Sequence, residues 1–529
     1  MRALALLLAG AAFAPLAAQA PEFDVLIRGG TVVDGTGSPG FRADVALKSD
    51  RIALISRTPV DARRAARSVD ATGKIVAPGF VDAHAHIEPI TSMPGAESAV
   101  RQGVTTALLA SDGSSPLPLA PFMEAREKQG VGMNLAYMIG HNTVRRRVMG
   151  MERRAPEPGE LERMKTLIAE GMRDGAFGIS TGLRYLPGNF AQTDEVIALS
   201  RVAADSGGFY ASHLREEGLG LFEGVGEAIT IGREARIPIT LTHHKAVGPK
   251  MWGQSRRTLA MVDSARAAGL DVMVDVYPYT ATSTGITVLI PTWAFDGGDS
   301  AFARRMQDPV LRDSIKAGIV FNILNDRGGG DLSRVQFSSV GWQPELNGKT
   351  LRDWADQRGL APTPENGADL VIEAELKGGA SMIYHVLEED DVTRIMRHPQ
   401  AMIGSDGRLS RPGPSSPHPR AYGTFPRVLG RYTREMKLFP IETAIHKMSG
   451  LTAARMGLTD RGVLREGGYA DVVVFDPATV ADRSTFQDPH QYPVGIDYVF
   501  VNGTAAVEAG KFMDTRSGRV LKRVRRSRR

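Results

Sequence analysis

Between residues 76 and 405, short apolar runs recur with helix-length stretches between them, and this rhythm restricts the fold more than any other feature of the 529-residue chain. The runs are 76–84, "VTTALLAS" (104–111), "MNLAYMIG" (133–140), "AFGIS" (176–180), "GFYAS" (208–212), "IPITLTH" (237–243), "DVMVDVYP" (271–278) and "AMIGS" (401–405). Near-continuous apolar runs mark strands buried on both faces, as in parallel sheets. Eight of them alternating with helices predict an α/β fold, a (β/α)8 TIM-type barrel over residues 76–455. The chemistry of such a barrel gathers at the C-terminal strand ends.

Both chain ends follow a different rule. "FDVLIRGGTVVDGTG" and "ADVALKSDRIALIS" near the start, and "GYADVVVFDP" (468–477) and "GIDYVFVNGTAAVEAG" (495–510) near the end, are short alternating pieces broken by turns. They predict one small β-sandwich domain assembled from residues 21–75 and 456–514. The barrel rhythm also breaks at about 291–370, where "DGGDS", "NDRGGGD" and "APTPENG" are rich in Gly and Pro. That stretch reads as an insertion after the seventh strand, placed to cover the strand ends.

Composition excludes several classes. With 42% hydrophobic and 23% charged residues the chain is not disordered, and with no cysteine it forms no disulfide and carries no lipid-modified cysteine. "MRALALLLAGAAFAPLAAQA" reads as a secretory signal peptide over residues 1–20, cleaved near Ala20, so the mature chain is expected in the periplasm or secreted, without an integral membrane segment. The net charge of +5 is confined to one place: residues 515–529 hold eight Lys or Arg and no acid, and removing them leaves residues 1–514 at −3. The tail therefore reads as a solvated, disordered basic extension, and nucleic acid is not an expected partner.

The polar residues at the predicted strand ends form a pattern. His84 and His86 close the first run as His-x-His; on an extended strand they share a face about 7 Å apart and can grip one metal ion. A solvated edge pair is the plainer reading, against which stand the apolar neighbours Ile75, Val76, Phe80 and Val81. His213 in "ASHLREE" and His243 in "LTHHK" close the fifth and sixth runs, and Asp406 in "MIGSDG" closes the eighth. His244 points away from His243 and reads as a packed core histidine, while His141 and His385 end apolar runs as candidates to support the ring from outside.

These residues carry a resemblance. "GFVDAHAH", "GVTT", "FGISTGLRY", "ASHLREE", "THHK", "DVYPYTATST", "IGSDG" and "PHPRAYGTFPRVLG" occur in order over nearly the whole mature chain, and they resemble the amidohydrolase superfamily, more narrowly the N-acyl-D-amino-acid deacylases or D-aminoacylases. The resemblance implies one or two Zn2+ ions held by His84, His86, His213, His243 and Asp406. It makes Asp406 the general base and acid of an amide hydrolysis that removes the acyl group from an N-acyl-D-amino acid. It implies that Lys245 and Arg420 hold the substrate carboxylate, with Tyr277 and Ser283 adding hydrogen bonds and Tyr185 lining the site. For Lys245 and Arg420 the alternative is structural ion pairing, and for the tyrosines it is core packing. One departure stands out: "ASDG" puts Asp112 where D-aminoacylases commonly have a cysteine, either as an oxygen ligand or as a turn cap.

Other readings stay open at this level. A dipeptidase for D-configured residues or a cyclic amidase belongs to the same superfamily, although "GAFGISTGLRY" has no lysine for the carboxylated bridge that cyclic amidases use near the fourth strand. A binding protein on an inactive barrel is the remaining class. Small N-acyl amino acids or dipeptides are the expected partners, and association into oligomers is left open.

Overall fold

A computed structural model describes residues 20–523; the expected leader up to residue 19 and the tail end, residues 524–529, lie outside the described residues. Parallel pairing links Phe80–His86, Val104–Leu109 and Asn134–Tyr137 on one side. On the other side it links Ile139–Gly140, Gly178–Gly182, Phe209–His213, Ile239–Leu241, Val272–Val276 and Ala401–Ile403. The two sheets meet at Met138, whose N–H donates to the Leu109 carbonyl (3.0 Å). They meet again at the eighth strand, where Gly407–Arg408 pairs with Phe80–His86 and the Asp406 N–H donates to the His84 carbonyl (2.7 Å). The ring so closed is the eight-stranded barrel. Val81, Leu108, Ala136, Phe209 and Ala211 fill its interior, and helices such as Pro158–Asp174 and Leu221–Ala235 cover the outside.

Several boundaries differ from the sequence reading. The run 76–84 is two strands: Ile75–Pro78 pairs in the terminal β-domain, and Phe80–His86 belongs to the barrel. Pro78 and Gly79 make the break, and only glycine fits at 79, where a Cβ would stand 2.3 Å from the Thr105 side chain. The sixth run is strand only over Ile239–Leu241, since His243 turns to a left-handed φ of 36°.

The chain ends do pair, in one nine-stranded sheet that joins Val472–Phe475, Ile496–Val501 and Thr504–Glu508 to Phe23–Val32 and Phe41–Lys48 through Ile75–Pro78. The sheet forks at Phe23–Val32, whose first half pairs with Ala65–Asp70 and whose end pairs with Ile75–Pro78. Its branches close over Val25, Ile27, Val45, Val69, Val474 and Phe500, so one continuous sheet supplies both layers of the expected sandwich.

The insertion is larger than the polar stretch that betrays it. Thr282–Gly285, Val335–Ser339 and Ser381–Tyr384 form an antiparallel three-stranded sheet, so the unit begins before 291 and ends after 370. With helices Pro309–Asn325 and Pro364–Leu376 it encloses a core of its own around Phe295, Ile319, Phe337 and Trp354.

The basic tail is not wholly a solvated extension. Residues up to 523 run across the N-terminal ends of barrel strands: Gly518 N–H donates to Val131, Leu521 N–H to Leu135 (2.7 Å) and Arg523 N–H to Gly175 (3.0 Å). Val520 is buried there and Arg519 pairs with Asp50 at 2.7 Å. A glycine and two aliphatic residues among the charges let the backbone approach closely and bury apolar surface, a signal that the charge count hides.

Candidate metal centre

The C-terminal strand ends carry the predicted ring, and local backbone features aim it. Relative to its neighbour, the first strand has one extra residue between Asp82 and Ala85, the kind of bulge that re-aims side chains beside a site. His84, within the bulge, and His86, just past it, turn into the mouth together, ring centroids 5.4 Å apart. The second, sixth and eighth strands end in left-handed residues, Ala110 (φ 64°), His243 (φ 36°) and Asp406 (φ 48°). Such conformations cost about 1–3 kcal/mol each and persist where the surroundings impose them.

Two groups of donors result. His84, His86, Asp112 and Asp406 form one, and Asp112, His213 and His243 the other, with the ligand atoms of each group within 4.8 Å of one another. Asp112 is common to both: Oδ1 lies 3.4 Å from His84 Nε2 and 3.5 Å from His243 Nε2, and Oδ2 lies 3.3 Å from His86 Nε2 and 3.6 Å from His213 Nδ1. Asp112 thus lies among four imidazoles, in a position from which its carboxylate could hold a metal ion.

The donor chemistry fits a metal ion. Both ring nitrogens of His84 are buried without a hydrogen-bond partner, an arrangement that costs about 1–3 kcal/mol per orphaned group unless something else satisfies it. Burial disfavours a charge on His84, yet Asp112 and Asp406 override it and raise the imidazole to about 10. Burial likewise pushes the Asp406 carboxyl up, but the Arg420 guanidinium and the His84 and His86 imidazoles hold it well below the usual carboxylate range. Carboxylates this averse to protonation, with imidazoles between them, attract a divalent cation.

The remaining predicted residues line a cavity of about 1040 Å3 above the ring. Lys245 Nζ donates to Glu217 Oε1 (2.5 Å) and to the His243 carbonyl (2.7 Å), and burial, opposed by Glu217, lowers its pKa. Arg420 Nη1 lies 2.7 Å from Asp406 Oδ2, and its Nη2 donates to the Ser283 carbonyl (3.3 Å). The Tyr277 hydroxyl is buried without a partner, and the guanidinium of Arg420 and the ammonium of Lys245 stand 4.9 and 5.9 Å from the centre of its ring. Tyr185 packs its ring on His213 at 4.4 Å and accepts from the Thr284 hydroxyl. Ser283 lines the cavity, but its hydroxyl donates to the Met382 carbonyl (2.9 Å) within the insertion sheet, so it would have to turn to donate to a ligand.

His244 turns away and binds the Thr258 hydroxyl (2.7 Å). His141 and His385 do not support the ring. His141, just after the third barrel strand, pairs with Glu195 at 2.8 Å, and His385, just after an insertion strand, faces Gln336 at 2.9 Å.

Four residues at the site escaped the sequence reading. Asp275 accepts from the His243 N–H (2.7 Å) and stands 3.7 Å from His84 Nδ1. Asp82 accepts from the backbone of His84 (3.1 Å) and Ser405 (2.8 Å), tying the first strand to the eighth. Glu217 pairs with Lys245, and Arg327 with Glu217 (2.9 Å). A lone acid inside an apolar strand marks Asp275, and its place four residues after His213 marks Glu217. Arg327, in a Gly-rich loop of the insertion, carries no sequence signal.

A (β/α)8 barrel whose mouth holds these two donor groups, flanked by a β-domain from both termini, defines a metal-dependent hydrolase acting on C–N bonds. The chain belongs to the amidohydrolase family, whose sequence profile matches residues 67–507. It is 38% identical to a D-aminoacylase of Alcaligenes xylosoxydans xylosoxydans, over 95% of this chain and 98% of that protein. Among solved structures, it is similar to a D-aminoacylase studied for its binuclear metal centre (TM-score 0.80, 36% identity, 95% of this chain and 100% of the other). It is also similar to an N-acyl-D-glutamate deacylase of Bordetella bronchiseptica solved with zinc and a phosphonate mimic of the tetrahedral intermediate (TM-score 0.79, 34% identity, 95% and 100%).

Proposed function

We propose that this protein is a zinc-dependent deacylase of N-acyl-D-amino acids. The observation that carries this reading is the pair of donor groups sharing Asp112, set directly beneath Lys245, Tyr277 and Arg420. Metal ligands and carboxylate-binding groups thus open into one cavity. The D-configuration and the acyl substrate are supported by the relatives at 34–38% identity, which are named for that activity.

A divalent ion bound in the ring supplies Lewis acidity toward the amide carbonyl and acidifies water, so that attack is feasible at neutral pH. The chain's own residues do the rest. While Oδ2 of Asp406 faces Arg420, Oδ1, 3.0 Å from His86 Nε2, accepts the proton released as water attacks. The same oxygen returns that proton to the departing amine nitrogen. Lys245, Arg420 and the unpartnered Tyr277 hydroxyl surround a site suited to the substrate carboxylate; the planar fork of Arg420 can bind both oxygens. The insertion strand Thr282–Gly285 walls the cavity.

The cyclic-amidase reading is weakened at the fourth strand, Gly178–Gly182, which presents Ser180 to the Ala110 carbonyl and offers no lysine; the centre of the ring is filled by Asp112 instead. Export to the periplasm or medium, by the leader that ends near Ala20, is part of the proposal and is supported by the leader's composition alone. A hydrolysis screen tests the whole reading. With zinc-loaded protein, amine release is expected from N-acetyl-D-amino acids and not from their L-enantiomers. Preferential turnover of D-dipeptides or of cyclic amides would overturn it.

A further inference from the structure

Each imidazole of the ring turns one nitrogen inward, toward Asp112 or Asp406, and the other outward. For His213 the inner atom is Nδ1, 3.6 Å from Asp112, and the outer Nε2 lies 3.6 Å from Glu217 Oε2. For His243 the roles of the atoms are reversed: Nε2 is inner, 3.5 Å from Asp112, and Nδ1 lies 3.3 Å from Glu217 Oε1. One carboxylate therefore faces the outer nitrogens of both histidines, one oxygen to each. The other two histidines have acids of their own, Asp275 at 3.7 Å from His84 Nδ1 and Glu88 at 3.4 Å from His86 Nδ1.

A neutral imidazole that ligates a metal through one nitrogen carries its proton on the other, and that N–H needs an acceptor. The outer Nε2 of His213 is buried and has no hydrogen-bond partner besides this approach to Glu217. Lys245 Nζ lies 2.6 Å from the outer Nδ1 of His243. Two N–H donors cannot stand that close, so a proton on Nδ1 requires Lys245 Nζ to draw back from it, which it can do while keeping its two other acceptors, Glu217 Oε1 and the His243 carbonyl. Glu217 itself is 2% exposed, and its charge is balanced by Lys245 on one oxygen and by Arg327 on the other. Arg327 comes from the insertion, not the barrel, and is 3% exposed.

Building on the metal-centre reading above, we propose that Glu217 is the positioning residue for the ion held by Asp112, His213 and His243. It accepts both outer N–H groups, which fixes His213 to ligate through Nδ1 and His243 through Nε2, and Arg327 holds Glu217 for that task. The insertion is thereby linked to metal affinity in one half of the ring, without contributing a ligand.

Competition with a chelator tests this without reference to activity. Zinc-loaded wild type, Glu217→Gln and Arg327→Met are titrated with chelator and their retained zinc measured, with thermal melting as a check on folding. His243→Ala and His86→Ala identify which ion belongs to which half. A glutamine side chain can accept only one of the two N–H groups, and its own amide donor opposes the second. The ion that His243→Ala loses should therefore be bound about 10- to 100-fold more weakly in Glu217→Gln. The ion that His86→Ala loses should keep its affinity, and Arg327→Met should shift the first ion in the same direction by less. Wild-type affinity for both ions in a folded Glu217→Gln protein, or in a folded Arg327→Met protein, would overturn the corresponding part of the proposal. A wild type that holds no zinc lost by His243→Ala would instead overturn the metal reading of that half, and this inference with it.

Discussion

Arg420 Nη1 lies 2.7 Å from Asp406 Oδ2, so the side chain proposed to bind the substrate carboxylate also sets the state of the proposed base. Removing this cation should let the Asp406 carboxyl rise toward its ordinary range. Arg420→Met is predicted to raise KM at least tenfold and to move the acid limb of the kcat/KM profile to higher pH. An increase in KM with an unmoved acid limb would separate the two roles.

Asp406→Asn removes the proton acceptor while keeping size and shape. Since positioned acid–base groups contribute about 10²–10⁴-fold, kcat is expected to fall by at least 100-fold. Zinc should stay bound through His84, His86 and Asp112. Activity within tenfold of wild type would remove Asp406 from the proton transfer.

Asp112 touches both donor groups, so Asp112→Asn should weaken both ions, unlike Glu217→Gln, which should weaken one. Oxygen donors are also less selective for zinc than thiolates. The wild type is therefore predicted to accept manganese more readily than Asp112→Cys does, as read by metal analysis after competitive loading. Unchanged metal content in Asp112→Asn would return this residue to a turn-capping role.

Away from the site, Lys447 is buried, with its ammonium on the carbonyls of His398 (2.5 Å) and Ala401 (3.2 Å) at the start of the eighth barrel strand. Burial lowers its pKa from 10.5 to about 8. Between those two values the unfolded chain binds the extra proton, so this group's contribution to stability increases as pH rises from about 8 toward 10.5. Lys447→Met should therefore gain most, relative to wild type, near pH 7 and lose that advantage by pH 10. A stability difference that is flat across this range in denaturant titrations would contradict the assignment.

The parts of this architecture that were legible in the sequence are those governed by local pattern. Apolar runs such as "VTTALLAS" and "DVMVDVYP" revealed parallel strands because both of their faces are buried, and His84, His86, His213, His243 and Asp406 stood out because each closes such a run. Features set by long-range approach were hidden. Pro78 and Gly79 split one apolar run between two domains, and residues 518–521 dock on the barrel through backbone contacts that a count of charges does not register. Glu217 and Arg327 become neighbours only when the insertion folds back over the mouth, 110 residues apart in sequence.

The central claim, a zinc-dependent deacylase specific for the D-configuration, is tested most directly by amine release from the two enantiomers of one N-acetyl amino acid. It is measured on the protein as purified, after chelation, and after zinc is restored. Turnover of the D-enantiomer alone is expected, lost on chelation and recovered with zinc. Undiminished turnover by the fully zinc-depleted protein, or equal turnover of both enantiomers, would contradict it.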